Sequence, residues 1–326
     1  MRIIFVPQFP SKLRYQEFWY KQFPIEFKKR GFEVITLGEN YLQKIKNERC
    51  EYKENFSPIK ESILLETVQV NEYIDLDIKE DDILFLADIS FPGIFCNALY
   101  HKSCSKMFAF CHATSLNNFD YFQNMRHSKF KVECSHSILF DKVFVGSNYH
   151  QQKLLLGDKL NTYWNNTLVT YLPFPSVDVK ITGKNKTIDI MSASRPTPQK
   201  VDFELENKVE KTFNLKIQRP VAKSWINYYW NLSSSKILLI TAHEDTFGYQ
   251  IVDAILNNCI PLARNSFAYP ELLPREYLYN DEDELLHKID YILNAGFNYL
   301  IPKVPNLLCQ EQMNKFYDTI CEEMTK

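Results

Sequence analysis

Residues 236–263 constrain the fold of this chain more than any other stretch. They begin with an apolar run at 236–241, which is typical of a buried parallel β-strand. A short loop ending at Gly248 follows, and then an amphipathic helix has its apolar residues on one face: Ile251, Val252, Ile255 and Leu256. A second apolar run at 260–263 closes the unit. Chains that repeat this strand–helix–strand unit form parallel sheets covered by helices.

The loop of this unit combines two opposite preferences for ligands. Its backbone N–H groups, at the start of a helix, favour an anion such as phosphate. Asp245 and Asp253, with seven residues between them, would repel a phosphate but could accept hydrogen bonds from hydroxyl groups. Phosphate beside a polyol is the chemistry of a nucleotide sugar, so the loop is a candidate site for such a ligand.

The same residues resemble a known signature. Asp245-x-Phe247-Gly248-x-x-x-x-Asp253, followed later by Tyr269-Pro-Glu, is similar to the donor site of family-4-type retaining glycosyltransferases of the GT-B fold. That family usually has Glu at both acidic positions, and Asp keeps the charge but shortens the reach by one methylene. Either Asp245 or the neighbouring Glu244 would therefore orient the sugar. The C-terminal half also resembles enzymes that add mannose to queuosine in tRNA.

Apolar runs of strand length recur along the whole chain and alternate with helical segments. They lie at 3–6, 32–37, 83–87, 106–111, 142–146, 167–171, 188–193 and 215–218. Helical patterns end at Arg30, span 201–212 and 225–232, and return at 307–324. This alternation predicts α/β architecture with doubly wound parallel sheets.

The length of 326 residues suits two domains, each with its own core. The proline-containing segment 172–178 is a candidate linker. We predict an N-terminal, acceptor-binding, Rossmann-like domain at 1–175 and a nucleotide-sugar-binding, Rossmann-like domain at 181–305. The resemblance implies that the two domains face a cleft and that the last helix, at 306–326, crosses back onto the first domain.

The composition argues against a disordered protein, a disulfide-linked protein and a membrane-spanning protein. A hydrophobic fraction of 45% with 24% charged residues is globular, and a net charge of −2 gives no overall electrostatic case for nucleic acid. The eight cysteines contain no Cys-x-x-Cys pair and lie mostly in apolar runs, as in a reducing compartment. No segment has the length of a membrane span or of a signal peptide, so we expect a cytoplasmic protein.

Breaking the bond between a sugar and a diphosphate places negative charge on the leaving group, which cations must stabilise. Arg195 follows the strand predicted at 188–193, and Lys200 precedes the next helix. This pair resembles the diphosphate clamp of the family. The resemblance further implies that Asp253 accepts from the ribose, and that the loop and helix start bind the donor: Thr246, Phe247, Gly248 and Tyr249.

A metal ion could stabilise the leaving group instead. Asp75 and Asp77 form one spaced acidic pair, in a loop-like segment before a strand, and Asp281 and Asp283 form another at a helix start. Acidic residues at a helix start suit the helix dipole. We interpret both pairs as solvated, and predict neither a metal site nor a cofactor other than the donor substrate.

His112 ends the apolar run 106–111. A lone histidine there is often a core residue, but the carboxyl edge of a parallel strand faces the crevice where ligands bind. Members of the family commonly have a histidine here that contacts the transferred sugar, which favours a functional role. Asn117, Asn118 and Asp120 follow and could meet sugar or acceptor hydroxyls, whereas Glu271 is interpreted as structural.

The first domain would select the acceptor. Residues 6–20 interleave aromatic and basic side chains, which suit stacking on bases and pairing with phosphates, although a packed aromatic helix is the plainer interpretation. The likeness to queuosine mannosyltransferases favours a hydroxylated modified base in tRNA or DNA. A glycan or a lipid-linked acceptor remains open, and so does an idle GT-B domain that binds a nucleotide or nucleic acid without catalysis.

Overall fold

The structure is a computed structural model of the chain. It describes residues 1–11, 15–48, 58–89, 104–117, 119, 126–157, 164–165, 169–171, 181, 185–198, 200–294 and 310–326. The predicted linker at 172–178 and the predicted boundary between 305 and 306 lie outside these ranges. The domain bounds therefore stay predictions.

The N-terminal domain is built on a six-stranded sheet in which every described pairing is parallel. Its strands are β1 (Arg2–Val6), β2 (Glu33–Thr36), β3 (Ile83–Leu86), β4 (Lys106–Cys111), β5 (Lys142–Val145) and β6 (Val169–Tyr171), in the order β2-β1-β3-β4-β5-β6. Each coincides with an apolar run that the sequence singled out, apart from Arg2 at the start of β1, because strands covered on both faces are apolar along most of their length.

Helices connect these strands: α1 (Tyr15–Lys29), α2 (Glu39–Glu48), α3 (Pro58–Asp75), α4 (Arg126–Ser137) and α5 (Asn148–Gly157). Helix α1 ends before Gly31, whose φ of 87° fits the predicted glycine stop. The prediction of a loop-like segment around Asp75 is wrong in part. Asp75 is the last residue of α3, because buried side chains such as Leu65 and Tyr73 hold that helix against the domain.

The C-terminal domain has a second parallel sheet, in the order β10-β9-β8-β7. Its strands are β7 (Ile188–Met191), β8 (Ser235–Ile240), β9 (Ile260–Arg264) and β10 (Leu278–Tyr279), and its helices are α6 (Phe203–Phe213), α7 (Trp225–Ser234), α8 (Tyr249–Leu256) and α9 (Glu282–Asn294). The strand expected at 215–218 is only a single bridge between Met191 and Gln218. Pro220 lies just beyond it and has no N–H with which to extend a ladder.

The last helix, α10 (Gln310–Thr325), packs on the N-terminal domain as predicted. Phe316 contacts the rings of Trp19 and Phe23 of α1, with centroid distances of 5.5 and 6.3 Å. Arg30 Nε donates to Asp318 Oδ1 at 2.7 Å. Helix α10 therefore belongs with the N-terminal domain and joins its aromatic core.

Five cysteines fall within the described residues: Cys104, Cys111, Cys134, Cys259 and Cys321. All five are buried and in the thiol form, as the sequence predicted. They pack as small apolar side chains.

Candidate functional site

The loop between β8 and α8 lies against the carboxyl edge of the N-terminal sheet. Thr246 Oγ1 donates to the backbone oxygen of His112, just after β4, at 2.7 Å. Ser147, just after β5, donates to the backbone oxygen of Thr246. The edge where ligands bind in an open α/β sheet is therefore covered by the predicted donor loop of the other domain.

Glu244 is the most heavily hydrogen-bonded side chain of this contact. Its carboxylate accepts from Asn117 Nδ2 at 3.0 Å, from the Phe119 N–H at 3.2 Å and from the Tyr149 hydroxyl at 2.7 Å. It also forms an ion pair with Lys153. Burial would raise the pKa of Glu244, but Lys153 and then the Tyr149 hydroxyl more than offset burial and hold that pKa below its usual range. All these donors belong to the N-terminal domain.

Asp245 has a different environment. Its side chain is half-buried, and the only hydrogen bond it makes to the described part of the chain comes from the Phe247 N–H at 3.4 Å. Asp245 borders a small cavity between the domains, lined by Ala113, Asn117, Phe119, Lys200, Glu244, Asp245 and Thr246. Of the two acids that the sequence left open, Asp245 thus has the greater capacity to accept from a ligand.

The two predicted diphosphate cations also differ. Lys200 borders the cavity, and its ammonium donates to the backbone oxygen of Glu244 at 3.0 Å. Arg195 follows β7 and is exposed, and its guanidinium makes no hydrogen bond or ion pair with the residues that the structure describes. Lys200 is therefore fixed beside the acidic loop, whereas Arg195 keeps all its donors for a ligand.

His112 lies at the end of β4 and is 7% exposed. Burial and then the neighbouring His150 lower the pKa of His112 to about 3, so its imidazole is neutral near pH 7. The ring stacks on Tyr15 of α1, with a centroid distance of 4.1 Å, and contacts the edge of Trp19 at 5.6 Å. A neutral imidazole can form hydrogen bonds to a sugar but brings no positive charge.

The start of α8 needs a glycine. Gly248 has a φ of 93°, and a Cβ there would lie 3.3 Å from Leu272 Cδ1 and from ring carbons of Tyr269. The side chain of Phe247 is 5% exposed and packs in the core, so only its backbone faces the loop. Tyr249 has its ring nearly parallel to that of Tyr15, 6.1 Å away, and burial holds the pKa of Tyr249 well above its usual range.

Asp253, the second acid of the signature, lies on α8 and is 7% exposed. Burial and then the Asp253 carboxylate raise the pKa of Tyr228 on α7, whose hydroxyl hydrogen-bonds to that carboxylate. The structure thus gives Asp253 a partner within its own domain. Its predicted contact with a ribose stays a prediction.

The acidic pairs considered as metal ligands do not form a cluster. In the described ranges no group of three His, Cys, Asp or Glu side chains could hold a metal ion. Asp281 instead caps α9, since its Oδ1 accepts from the Glu284 N–H at 2.9 Å. Asn118 and Asp120 lie outside the described residues.

Sequence reasoning missed the role of α5. Glu271, interpreted only as structural, accepts from the first two N–H groups of that helix, those of Asn148 at 2.9 Å and of Tyr149 at 2.8 Å. Lys153 and Tyr149 were not singled out at all. Glu271 is 123 residues from Asn148 in the chain, so no local pattern could have linked the two.

The aromatic segment near the N-terminus is mostly core. Trp19 is 1% exposed and packs against α10, which favours the plainer interpretation of a packed aromatic helix. Lys12 and Arg14 lie outside the described residues. The ring of Tyr15 in this segment lies beside that of Tyr249 at the start of α8.

No helix in the described part of the chain is both long and apolar enough to cross a bilayer.

Solved structures share this architecture, whereas no protein-family model matches the chain. HepE from Anabaena, in complex with UDP and glucose, has a TM-score of 0.67 at 11% identity, covering 100% of this chain and 99% of that chain. A glycosyltransferase from Rickettsia africae ESF-5 has a TM-score of 0.57 at 16% identity, covering 100% of this chain and 98% of the other. These likenesses establish the predicted GT-B fold.

Two further comparisons are partial. The pneumococcal O-GlcNAc transferase GtfA, in complex with UDP and GlcNAc, has a TM-score of 0.56 at 12% identity, and the match covers 80% of this chain but only 61% of GtfA. The tRNA-queuosine alpha-mannosyltransferase of Drosophila melanogaster is 36% identical over 62 residues, which are 19% of this chain and 16% of that enzyme. The sequence match therefore spans a small part of both proteins.

Proposed function

We propose that the protein is a glycosyltransferase that moves a sugar from a nucleotide-diphosphate sugar to a hydroxyl group. The observation that carries this proposal is the cavity between the domains, where Lys200 and Asp245 of the C-terminal domain lie together at the edge of the N-terminal sheet. A cation for phosphate and a carboxylate for sugar hydroxyls are the two groups that such a donor needs. The bound UDP and glucose in HepE, a protein of the same fold, support it and favour a UDP-sugar.

Each candidate residue then has one task. Arg195 and Lys200 bind the diphosphate and stabilise the charge that develops on it as its bond to the anomeric carbon breaks. Asp245 accepts hydrogen bonds from the sugar, and the neutral imidazole of His112 contacts the same sugar from the other domain. Glu244, whose carboxylate already has four donors, holds the loop.

The start of α8 completes the donor site. Backbone N–H groups of Thr246, Phe247, Gly248 and Tyr249 face the phosphates, and Asp253 accepts from the ribose. Transfer retains the configuration of the sugar and needs no metal ion, as in the family that the signature resembles. With a cationic pair at the leaving group, activity should survive a chelator such as EDTA, and complete loss with chelator would contradict this part of the proposal.

The acceptor is proposed to be a hydroxylated modified base in tRNA or DNA. The match to a tRNA-queuosine alpha-mannosyltransferase supports this class. A glycan or lipid-linked acceptor is the second candidate, supported by the likeness in fold to an O-GlcNAc transferase. Transfer to tRNA that falls steeply as salt is raised would support the first candidate. Transfer to a free glycan, with none to nucleic acid, would replace the first candidate with the second.

Arg195→Ala tests the catalytic assignment. Because the guanidinium has no partner among the described residues, its loss should leave the fold intact and lower turnover of the nucleotide sugar by roughly a hundredfold. Lys216→Ala is the matched control, since the Lys216 side chain is 88% exposed on the same domain. The assay is release of the free nucleoside diphosphate from a panel of UDP- and GDP-sugars.

Two outcomes would overturn the assignment. Equal turnover in the Arg195 and Lys216 variants would remove Arg195 from the site. Binding of a nucleotide sugar without any turnover by the wild-type protein would favour the idle binding domain. That alternative is consistent with Asp at both acidic positions, where the family usually has Glu.

A further inference from the structure

Glu244 connects the N-terminal domain with Lys200 of the C-terminal domain. Its side chain is held by the N-terminal domain, through Tyr149 and Lys153 of α5 and through residues after β4. Its backbone oxygen accepts from the ammonium of Lys200 at 3.0 Å. The lysine proposed to bind the diphosphate is thus anchored on a residue whose side chain is fixed by the other domain.

The ion pair of Glu244 with Lys153 is placed where it adds little to stability. The side chains of Lys153 and Glu244 are 19% and 4% exposed, so both charges lose most of their hydration. In such pairs the loss of hydration offsets most of the attraction, and an apolar pair is often as stable. The pair is better explained by the geometry that it fixes.

The hydrogen bonds around this pair are arranged as a closed set. Lys153 Nζ donates to the Tyr149 hydroxyl at 3.1 Å, and that hydroxyl donates to Glu244 at 2.7 Å. At its first turn α5 is tied to the C-terminal domain a second time, because Glu271 accepts from the N–H groups of Asn148 and Tyr149. Helix α5 therefore keeps a fixed position relative to the donor loop.

Charge balance gives the ammonium of Lys153 a second effect. The cavity is bordered by two carboxylates, Glu244 and Asp245, and by the ammonium of Lys200. Without Lys153, the negative charge of Glu244 would be left uncompensated beside the position proposed for the diphosphate. Like charges in a partly buried site repel strongly, so an anionic ligand would bind less tightly.

We propose that Lys153 is a positioning residue for the donor site. It holds and neutralises Glu244, so that Lys200 stays anchored beside Asp245 and diphosphate binding depends on contact between the two domains. The choice of a nucleoside diphosphate as the ligand rests on the proposed function. The positioning itself rests only on the contacts of Glu244.

The first test measures UDP affinity by calorimetry in four proteins: wild type, Lys153→Met, Glu244→Gln and the variant with both changes. Lys153→Met should lower the affinity for UDP by roughly tenfold or more, because the substitution leaves an unpaired carboxylate beside the diphosphate. The double variant should bind UDP more tightly than Lys153→Met, because Glu244→Gln removes that charge. Lys153→Arg keeps the cation and should therefore bind UDP more tightly than Lys153→Met.

A purely structural role gives a different pattern. If Lys153 served only folding, the double variant would bind UDP no better than Lys153→Met, and that result would overturn the proposal. Equal affinity of Lys153→Met and wild type would overturn it as well. Should Lys153→Met fail to fold, Tyr149→Phe is the substitute, because it removes one hydrogen-bond donor to Glu244 and keeps the ring. Tyr149→Phe should lower the affinity for UDP by a few-fold.

Amide hydrogen exchange in the ligand-free protein tests the positioning without any ligand. Lys153→Met should speed exchange in the loop 244–248 and leave β1 unchanged, because the loop loses its hold on α5. Unchanged exchange in the loop would contradict the proposal. Failure of the wild-type protein to bind UDP would contradict the proposed preference for a UDP-sugar, while the exchange result would still decide whether Lys153 fixes the loop.

Discussion

Three glycines with positive φ, one of them in the donor loop, allow the effect of packing on a glycine position to be measured separately from the effect of the backbone. Gly31, Gly38 and Gly248 have φ angles of 87°, 77° and 93°. An alanine in this region is strained by about 1–2 kcal/mol. Reduced freedom of the unfolded chain returns about 0.4–1 kcal/mol of that. The backbone effect alone therefore predicts a loss of about 1 kcal/mol at each position.

Packing separates the three positions. A Cβ at Gly31 would meet nothing within 4 Å, whereas at Gly248 it would lie 3.3 Å from Leu272 and Tyr269. Both neighbours are buried, so crowding should add about 1 kcal/mol at Gly248. At Gly38 the Cβ would lie 2.5 Å from Leu65 Cδ1, which is also buried, and the added loss should exceed that at Gly248.

The assay is urea unfolding of the three Gly→Ala variants, followed by tryptophan fluorescence. The expected order of destabilisation is Gly31→Ala, then Gly248→Ala, then Gly38→Ala. Gly248→Ala should in addition weaken UDP binding, because the strained residue lies among the N–H groups that we propose to face the phosphates. Equal losses of unfolding free energy at Gly31 and Gly248 would refute the packing argument.

Two further predictions concern the folded state. Burial lowers the pKa of His112 to about 3 and that of His150 to about 4, while both groups in the unfolded chain have a pKa near 6.5. Between pH 6.5 and 4 the unfolded chain thus binds more protons, and the unfolding free energy should fall with falling pH by up to about 1.4 kcal/mol per pH unit for each histidine. Urea unfolding at pH 7 and pH 5 measures this slope, which His150→Asn should roughly halve, and a flat profile would contradict the burial argument. Phe316→Ala should destabilise the protein by about 3–5 kcal/mol, since the ring is 2% exposed in the aromatic core under α10. The exposed neighbour Lys315→Ala is its control, and similar melting temperatures for the two variants would mean that α10 is not docked in solution.

The strands could be predicted from sequence because the property that defines them is local. The apolar run 106–111 coincides with β4, in which five of the six residues are buried. By contrast, β10 has two residues and leaves no periodicity to detect. The segment 215–218 looked like a strand because its apolar and polar residues alternate. Alternation does not reveal that the segment pairs only through the single bridge at Gln218. Local patterns thus give the strands that fill the core and miss those defined by pairing alone.

The candidate site divides in the same way. The signature located the loop after β8 and the glycine at the start of α8, since a strand, a tight turn and a helix are specified by adjacent residues. It could not choose between Glu244 and Asp245, because adjacent side chains point in different directions and their partners lie elsewhere. The donors that occupy Glu244 come from residues 91 to 127 positions away in the chain.

The choice between the two acids is therefore a property of the domain interface. Glu244, the longer acid, reaches the N-terminal domain and is enclosed by Tyr149, Lys153 and Asn117. Asp245, one methylene shorter, stays on its own side of the cavity beside Lys200. Exchanging the lengths tests this directly. Asp245→Glu should keep donor turnover within about tenfold of wild type. Glu244→Asp should move the carboxylate away from Lys153, so that a buried ion pair loses its geometry. The affinity for UDP and the melting temperature should therefore both fall. If Asp245→Glu abolished turnover and Glu244→Asp changed nothing, the assignment of the two acids would have to be reversed.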